Sequence, residues 1–303
     1  NVTEKNVFSC HDVKSIFMVP QILFEQGLVD LVFKKFAKVG YVNASENWDE
    51  WNRIVNSMES DGDIINIAMV GKYVTLADSY VSVNHALKHA GASINRPVKI
   101  DWIDSETLNG NIETLKKYNG ILVPGGFGTR GSEGIIETAN FARENNIPYL
   151  GICFGFQLAA VSFARNVCNL TDANSTEIES KTKNPIIDLL PEQDDVTNLG
   201  GSLRLGANKI NIQENSIAHK IYNSDTVSKR HRHRYEFNKE YLESFNKNGM
   251  IFSGESDDGR RMEVLEIQSH KFFLGVQFHP EFNSRPGFPE QSFKAFITAA
   301  GTN

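Results

Sequence analysis

The sequence predicts an α/β fold, with a mostly parallel central sheet flanked by helices and additional short antiparallel strands. Three features carry that prediction. From Asp63 onward, apolar strand-like runs alternate with segments of helical length, the pattern of βαβ units. Two glycine-rich turns, Gly125–Gly131 and Gly151–Gly155, fall where strands end, and open α/β sheets place function there. Past Asp172 the texture shifts to shorter β-like segments.

Residues 1–62 read differently from the rest. Val13 to Pro20 is short and extended in character, because Pro20 disfavours helical backbone at Val19. Gln21 to Phe36 follows a helical period through Ile22, Leu23, Leu28, Leu31, Val32 and Phe36. Ala37 to Gly62 is polar, holds Trp48 and Trp51, and reads as a linker with one amphipathic helix. That is too little apolar material for a core of its own. A tail of a preceding domain plus linker over 1–62, and one domain over 63–303, is the expected division.

Within 63–303, Ile64 to Val70 is a β-branched run ending at Gly71, and Asp78 to Ala90 is helical. Val98 to Ile103 is a strand, Asn111 to Tyr118 a helix, and Gly120 to Val123 an apolar strand ending in Pro124-Gly125-Gly126. Ser132 to Asn145 is helical, and the run Ile147 to Leu150 then enters Gly151-Ile152-Cys153-Phe154-Gly155. Later strands are expected over Ser202–Leu205, Ile210–Ile212, His231–Phe237, Met250–Ser253, Met262–Ile267 and Phe272–Phe278, with a closing helix over Ser292–Ala299.

Bulk properties narrow the function classes. The 303 residues are 40% hydrophobic and 22% charged, which is ordinary globular composition. A net charge of −6 argues against duplex nucleic acid as a partner. Cys10, Cys153 and Cys168 form no framework spacing, which fits a reducing compartment where a free thiol can be catalytic. No leader-like start or membrane-spanning run is evident, so a cytoplasmic location is expected. The chain starts at Asn1 without a methionine, as a fragment of a longer protein would.

A cysteine between two glycines at a strand-to-helix junction is the pattern of a nucleophile elbow. The following helix points its N-terminal amides at the sulfur and favours thiolate. A given Cys has about a 1-in-200 chance of glycines at both offsets, so the pattern is moderately specific. A small buried Cys packed beneath a βα turn would read the same way.

A nucleophilic Cys needs a base, a group to orient it, and donors for an oxyanion. His279, just past an apolar strand, is the best-placed base, and Glu281 can accept from its imidazole. A His-x-Glu pair also occurs in zinc deaminases, but their Pro-Cys-x-x-Cys partner is absent, so no metal is expected. The turn Pro124 to Gly128 offers backbone amides for an oxyanion, with the amide of Phe154 as a second donor. It lacks the Gly-Lys-Ser/Thr ending of a phosphate loop. Arg230-His231-Arg232-His233-Arg234-Tyr235 alternates. As a strand it would put three arginines on one face, serving either as a charged edge or as an anion-recognition strand.

Together, Pro-Gly-Gly, Gly-x-Cys-x-Gly-x-Gln and His-Pro-Glu resemble the class I (triad) glutamine amidotransferases, whose fold is flavodoxin-like. More narrowly, the chain is similar to the glutaminase half of the CTP synthase family. Gly71-Lys72-Tyr73, Leu122 to Gly134, Asp172 to Glu177, Arg230 to Glu236 and Gln277 to Phe282 carry that likeness over nearly the whole chain. His11-Asp12-Val13, Ser15-Ile16-Phe17 and Val19-Pro20 resemble the end of the family's synthetase domain. Its P-loop, Mg²⁺ site and UTP site are not in this sequence. Phe154 and Phe156 stand where the family more often has Leu and Met, which implies a slightly reshaped cleft.

The resemblance implies Cys153 as nucleophile, His279 as general base and then acid, and Glu281 as its orienter. It implies an oxyanion hole from Gly126 and Phe154, and glutamine binding by Gly126, Phe154, Gly155, Phe156, Gln157, Glu177 and Arg234. Glu177 and Arg234 would supply the carboxylate and cation that a zwitterion needs. Phe127, Gly128, Arg130, Gly131 and Glu133 would belong to a mobile lid linked to GTP. No cofactor is implied for this chain itself. ATP, Mg²⁺ and UTP would serve the synthetase domain, and GTP would activate the full enzyme, a C–N ligase of pyrimidine biosynthesis. Its partners would be L-glutamine and its own synthetase domain, in a tetramer or filament, and the isolated chain would show glutaminase activity only. Rival readings are another triad amidotransferase, a γ-glutamyl hydrolase, and a non-catalytic assembly module.

Overall fold

The computed structural model describes residues 2–36, 45–60, 62–74, 76, 78–108, 110–189 and 203–302. The parts of the expected linker at 37–44 and 61, and Ser202 of an expected strand, lie outside these residues.

The first strands are β1 (Ile65–Gly71), β2 (Val98–Asp104), β3 (Gly120–Val123) and β4 (Tyr149–Ile152). Next come β5 (Ala173–Ser175), β6 (Asn184–Leu189), β7 (Arg204–Ile212), β8 (Thr226–His233) and β9 (Tyr235–Phe237). The last are β10 (Ile251–Ser256), β11 (Met262–Glu266) and β12 (Phe273–Val276). Nine of them form one sheet in the order β2-β1-β3-β4-β12-β11-β10-β7-β8, and β5-β6-β9 form a second. From β2 to β12 all neighbours are parallel; from β12 to β8 all are antiparallel. The predicted parallel core is therefore present, and antiparallel strands extend it, though β7 with nine residues and β8 with eight are longer than the short ones expected.

Strand alternation divides the core. Ala68, Val70, Ile121, Val123 and Tyr149 face one layer; Ile67, Met69, Leu122, Leu150 and Ile152 face the other. Helices α5 (Ser132–Glu144), α6 (Phe154–Asn166) and α8 (Leu242–Lys247) cover the first face. Helices α4 (Val81–Ser93), α7 (Ile217–Tyr222) and α9 (Gln291–Gly301) cover the second. Both faces are apolar because parallel strands between two helical layers meet no water. Tyr149 of β4 stacks on Phe273 of β12 with centroids 4.5 Å apart, locking together the two strands that lead into Cys153 and His279.

Before β1 the chain forms α1 (Val19–Glu25), α2 (Leu28–Lys35) and α3 (Ser45–Met58). Val19 is helical, against expectation. Pro20 lies in the first turn, where its missing N–H has no partner to lose, and this outweighs its effect on Val19. The single helix expected over Gln21–Phe36 is two, because the chain turns at Gly27 (φ 84°). Trp51 of α3 donates to the Phe17 carbonyl at 2.8 Å, and Ile54 and Met58 pack on Ala92 of α4. No single helix among the described residues is long and apolar enough to cross a membrane.

Other expectations change in detail. Residues 112–117 are a 3-10 helix rather than a regular one. The segments expected at Ser202–Leu205 and Ile210–Ile212 are one strand, β7. His231–Phe237 is broken at Arg234 into β8 and β9, which belong to different sheets. Arg230 and Arg232 share the exposed face of β8, with His231 and His233 buried opposite, but Arg234 leaves the alternation.

Candidate active site

Four parallel strands deliver their following residues to one cleft: Lys72 after β1, Pro124-Gly125-Gly126 after β3, Cys153 after β4 and His279 after β12. The cleft has a volume of about 370 Å³, and Tyr73, Tyr80, Gly125, Gly126, Phe127, Cys153, Arg232, His279 and Phe282 line it.

Cys153 has φ 52° and ψ −97°, a conformation that is strained for any residue with a Cβ. The surroundings hold it there. Its N–H donates to Val276 O at 2.7 Å, and its carbonyl accepts from Gln157 N at 3.1 Å. The flanking glycines are needed for close approach rather than for unusual torsions. A Cβ on Gly151 would lie 2.7 Å from the Gly155 carbonyl, and one on Gly155 would lie 2.4 Å from Val123 O. The elbow is a strained cysteine pressed between two backbones. Its sulfur is almost wholly buried, with Gln277 Nε2 at 3.7 Å and Arg232 O at 4.0 Å.

His279 leaves β12 beside Gly125, where any side chain would strike the imidazole at 2.9 Å. Nδ1 pairs with Glu281 Oε1 at 2.8 Å, while Nε2 has no hydrogen-bond partner. Because the carboxylate accepts, Nδ1 carries a proton and Nε2 faces the cleft. Burial alone would lower the imidazole's pKa. The charge of Cys153 and the carboxylate of Glu281 reverse this and raise it to about 10.

The loop Gly126–Gly131 is tied down on several sides. Lys72 Nζ donates to Phe127 O at 3.0 Å and to Gly128 O, and sits 4.0 Å over the Phe154 ring. Burial lowers the Lys72 pKa to about 8. Gly128 N donates to Glu177 Oε1 at 2.7 Å. Arg130 pairs with Glu106 at 2.8 Å and donates to the Lys72 carbonyl. Gly131 packs on Ser105, and Glu133 pairs with Arg165 of α6 at 2.7 Å. Phe127 is exposed at the rim.

The remaining expected residues divide. Glu177 and Arg234 both act on Tyr235, whose phenol pKa is raised by burial first, then by Glu177, with Arg234 opposing. Arg234 is the residue at the break between β8 and β9, directly before Tyr235. Phe154 begins α6 under Lys72, and a Cβ on Gly126 would meet its ring at 3.6 Å, an ordinary contact distance. Phe156 does not reach the cleft: its ring is fully buried, edge-on to Phe252 in the core, so only its backbone can take part. The buried Gln157 spends its Nε2 on Tyr235 O at 2.9 Å and Gln277 Oε1 at 3.2 Å. Sequence reasoning gave Lys72 and Gln277 no role. The signal was available, because Lys72 directly follows a parallel strand, as Cys153 does, and Gln277 lies two residues before His279 on the same side of the chain.

Behind the cleft lies a second buried cluster. His231 Nε2 pairs with Glu263 Oε2 at 2.9 Å, and Arg204 pairs with Glu263. Arg261 Nε lies 3.3 Å from Glu236, and His233 Nδ1 faces Tyr235 O at 3.2 Å. Ligand-type atoms of His231, His233 and Glu263 lie within 4.8 Å of one another.

A buried cysteine on a strained elbow thus stands at the carboxyl edge of a parallel sheet, with a carboxylate-anchored histidine beside it. Residues 75–299 match the family described as glutamine amidotransferase class-I, and the chain belongs to that family. Within it, the chain is similar to CTP synthases. It is 48% identical over 302 residues to that of Staphylococcus saprophyticus and 46% over 300 to that of Archaeoglobus fulgidus. Each match covers 99% of this chain and 56% of the relative. The chain thus spans about half the length of the curated relatives it matches. Its fold is also that of the Trypanosoma brucei CTPS glutaminase domain with bound acivicin. That match has a TM-score of 0.73 and 38% identity, and covers 78% of this chain and 93% of that one.

Proposed function

We propose that this chain hydrolyses L-glutamine through Cys153, His279 and Glu281 and releases ammonia for the ATP-dependent amination of UTP to CTP. The synthetase reaction belongs to the part of the CTP synthases that this chain does not span. ATP, Mg²⁺ and UTP act there, with GTP as activator of the whole enzyme and a tetramer or filament as its assembly. The observation that carries the reading is the pairing of His279 Nδ1 with Glu281 at 2.8 Å while Nε2 stays unpartnered beside a Cys153 held at φ 52°.

The Cys153 sulfur attacks the γ-carboxamide carbon, and the backbone amides of Gly126 and Phe154 receive the developing oxyanion. The raised pKa of His279 supports a proton on the imidazole at the start. That proton is the one His279 takes from Cys153 as base, the order the resemblance implies; as acid it then gives it to the leaving nitrogen, and ammonia departs as the C–N bond breaks. The neutral imidazole then takes a proton from water, whose hydroxide attacks the γ-glutamyl thioester. The C–S bond breaks and glutamate leaves. Glu281 keeps Nδ1 protonated throughout, so that Nε2 does the exchanging. Glu177 and Arg234 hold the ammonium and carboxylate of glutamine, and the loop carrying Phe127, Gly128, Arg130 and Gly131 closes over it.

The test is release of glutamate from glutamine by the purified chain. Slow turnover is expected, lost by roughly four orders of magnitude in Cys153→Ala. Acivicin should label Cys153 alone among the three cysteines. A Cys153→Ala chain that keeps the rate removes the triad from the reaction.

A further inference from the structure

We propose that Gln277 is a positioning donor to the Cys153 sulfur, holding it as thiolate, and that Gln157 sets the orientation in which Gln277 can donate. The inference rests on Cys153 as the nucleophile of the proposed reaction and adds two residues to its surroundings.

Bond direction follows from a group that can only accept. Tyr235 O is a backbone carbonyl, so the Gln157 atom 2.9 Å from it must be the amide nitrogen. That same nitrogen lies 3.2 Å from Gln277, so the atom it meets there must be the carbonyl oxygen. The amide nitrogen of Gln277 is then left to face Cys153 Sγ, at 3.7 Å. Gln277 is fully buried, and a buried amide turned the other way would set nitrogen against nitrogen and leave the sulfur without this donor.

Besides the His279 imidazole, which is coupled to it, the sulfur has two uncharged neighbours of opposite kind. Arg232 O, at 4.0 Å, can only accept, and so favours the S–H form. Gln277 donates, and a donated hydrogen bond favours the charged form. Removing the Gln277 amide leaves the carbonyl and tips the balance toward thiol. The two glutamines ride on the elements that carry the reacting groups. Gln157 lies one turn into α6 after Cys153, and Gln277 sits between β12 and His279.

The experiment follows thiolate directly. In a Cys10→Ser/Cys168→Ser background, iodoacetamide alkylation and ultraviolet thiolate absorbance are recorded from roughly pH 5 to pH 10. In Gln277→Leu the alkylation midpoint should move to higher pH, with about a tenfold lower rate at neutral pH. Gln157→Leu should move it the same way by less, since Gln277 remains but is untethered. Gln277→Glu keeps the volume and replaces a donor with an acceptor, so it should shift the same way even if the Leu variant fails to fold. An unchanged profile in a folded Gln277 variant overturns the proposal whatever happens to turnover. An intact profile in a parent chain that never hydrolyses glutamine breaks the glutaminase reading instead.

Discussion

Two histidine–carboxylate pairs in this molecule are nearly equal in length and opposite in use. His279 meets Glu281 at 2.8 Å, and His231 meets Glu263 at 2.9 Å. Around the first lie a strained cysteine, an unpartnered Nε2 and an open cleft. Around the second lie Arg204 on Glu263 and Arg261 on Glu236, with the imidazoles and carboxylates themselves buried. Burial opposed by Cys153 and Glu281 leaves His279 raised to about 10, while burial beside His231 drives His233 down to about 3. A histidine–carboxylate pair is therefore not itself a site. The chemistry lies in the strained cysteine and the cleft beside the first pair, while the second pair is closed in among buried charges.

The sharpest way to break this contrast is to exchange the effects. Cys153→Ala should remove glutamine hydrolysis and leave unfolding almost unchanged, since alanine inherits the same strained φ. Arg204→Met should do the reverse. It leaves the wholly buried Glu263 with His231 as its remaining partner, and should cost about 3 kcal/mol, or roughly 5–10 °C in thermal midpoint. An Arg204→Met chain as stable as the parent would mean that the second cluster does not hold the sheet together.

A smaller effect separates the clusters by pH. Burial, then the charge of Glu263, raises the Glu236 pKa to about 8, against opposition from Arg204 and Arg261. Its folded value thus exceeds its unfolded value of about 4.3. The stability it contributes is present in full below about pH 4.3 and is lost as pH rises through 8. Glu236→Gln mimics the neutral form, so it should match the parent in mild acid and melt at higher temperature above pH 8. Melting below the parent at every pH would show that Glu236 is held as a carboxylate by Arg261.

The first site was far more legible in the sequence than the second cluster. Cys153 between glycines and His279-Pro280-Glu281 after an apolar run announce themselves locally, because each sits at the end of a parallel strand. The second cluster joins β7, β8, β9 and β11 through partners up to 59 positions apart, as Arg204 and Glu263 are. No local period encodes that. The same limit explains the small sheet. Strand β5 has only three residues and β6 opens on Asn184-Pro185, and both are strands because β9 docks alongside β6. The break at Arg234 has the same origin, since it is where the chain passes from one sheet to the other. Pro20 misled in the opposite direction, as a local preference overruled by a helix start.

The gentlest test lies at the boundary between the two kinds of environment. Lys72 is a buried charge like those of the second cluster, yet it lines the first site, and its ammonium grips the carbonyls of Phe127 and Gly128. Lys72→Met keeps the stem over Phe154 and loses the grip. Gly128 N on Glu177 and Arg130 on Glu106 still tether the loop, so a KM for glutamine raised only about threefold to tenfold is expected, with Cys153 alkylation unchanged. The lowered Lys72 pKa adds a signature. Above about pH 8 the parent loses the ammonium, so its KM should climb there, while the Met variant should show no such limb. A limb that survives in Lys72→Met would assign the loop's hold to Glu177 and Arg130 instead, and would place Lys72 with the structural charges.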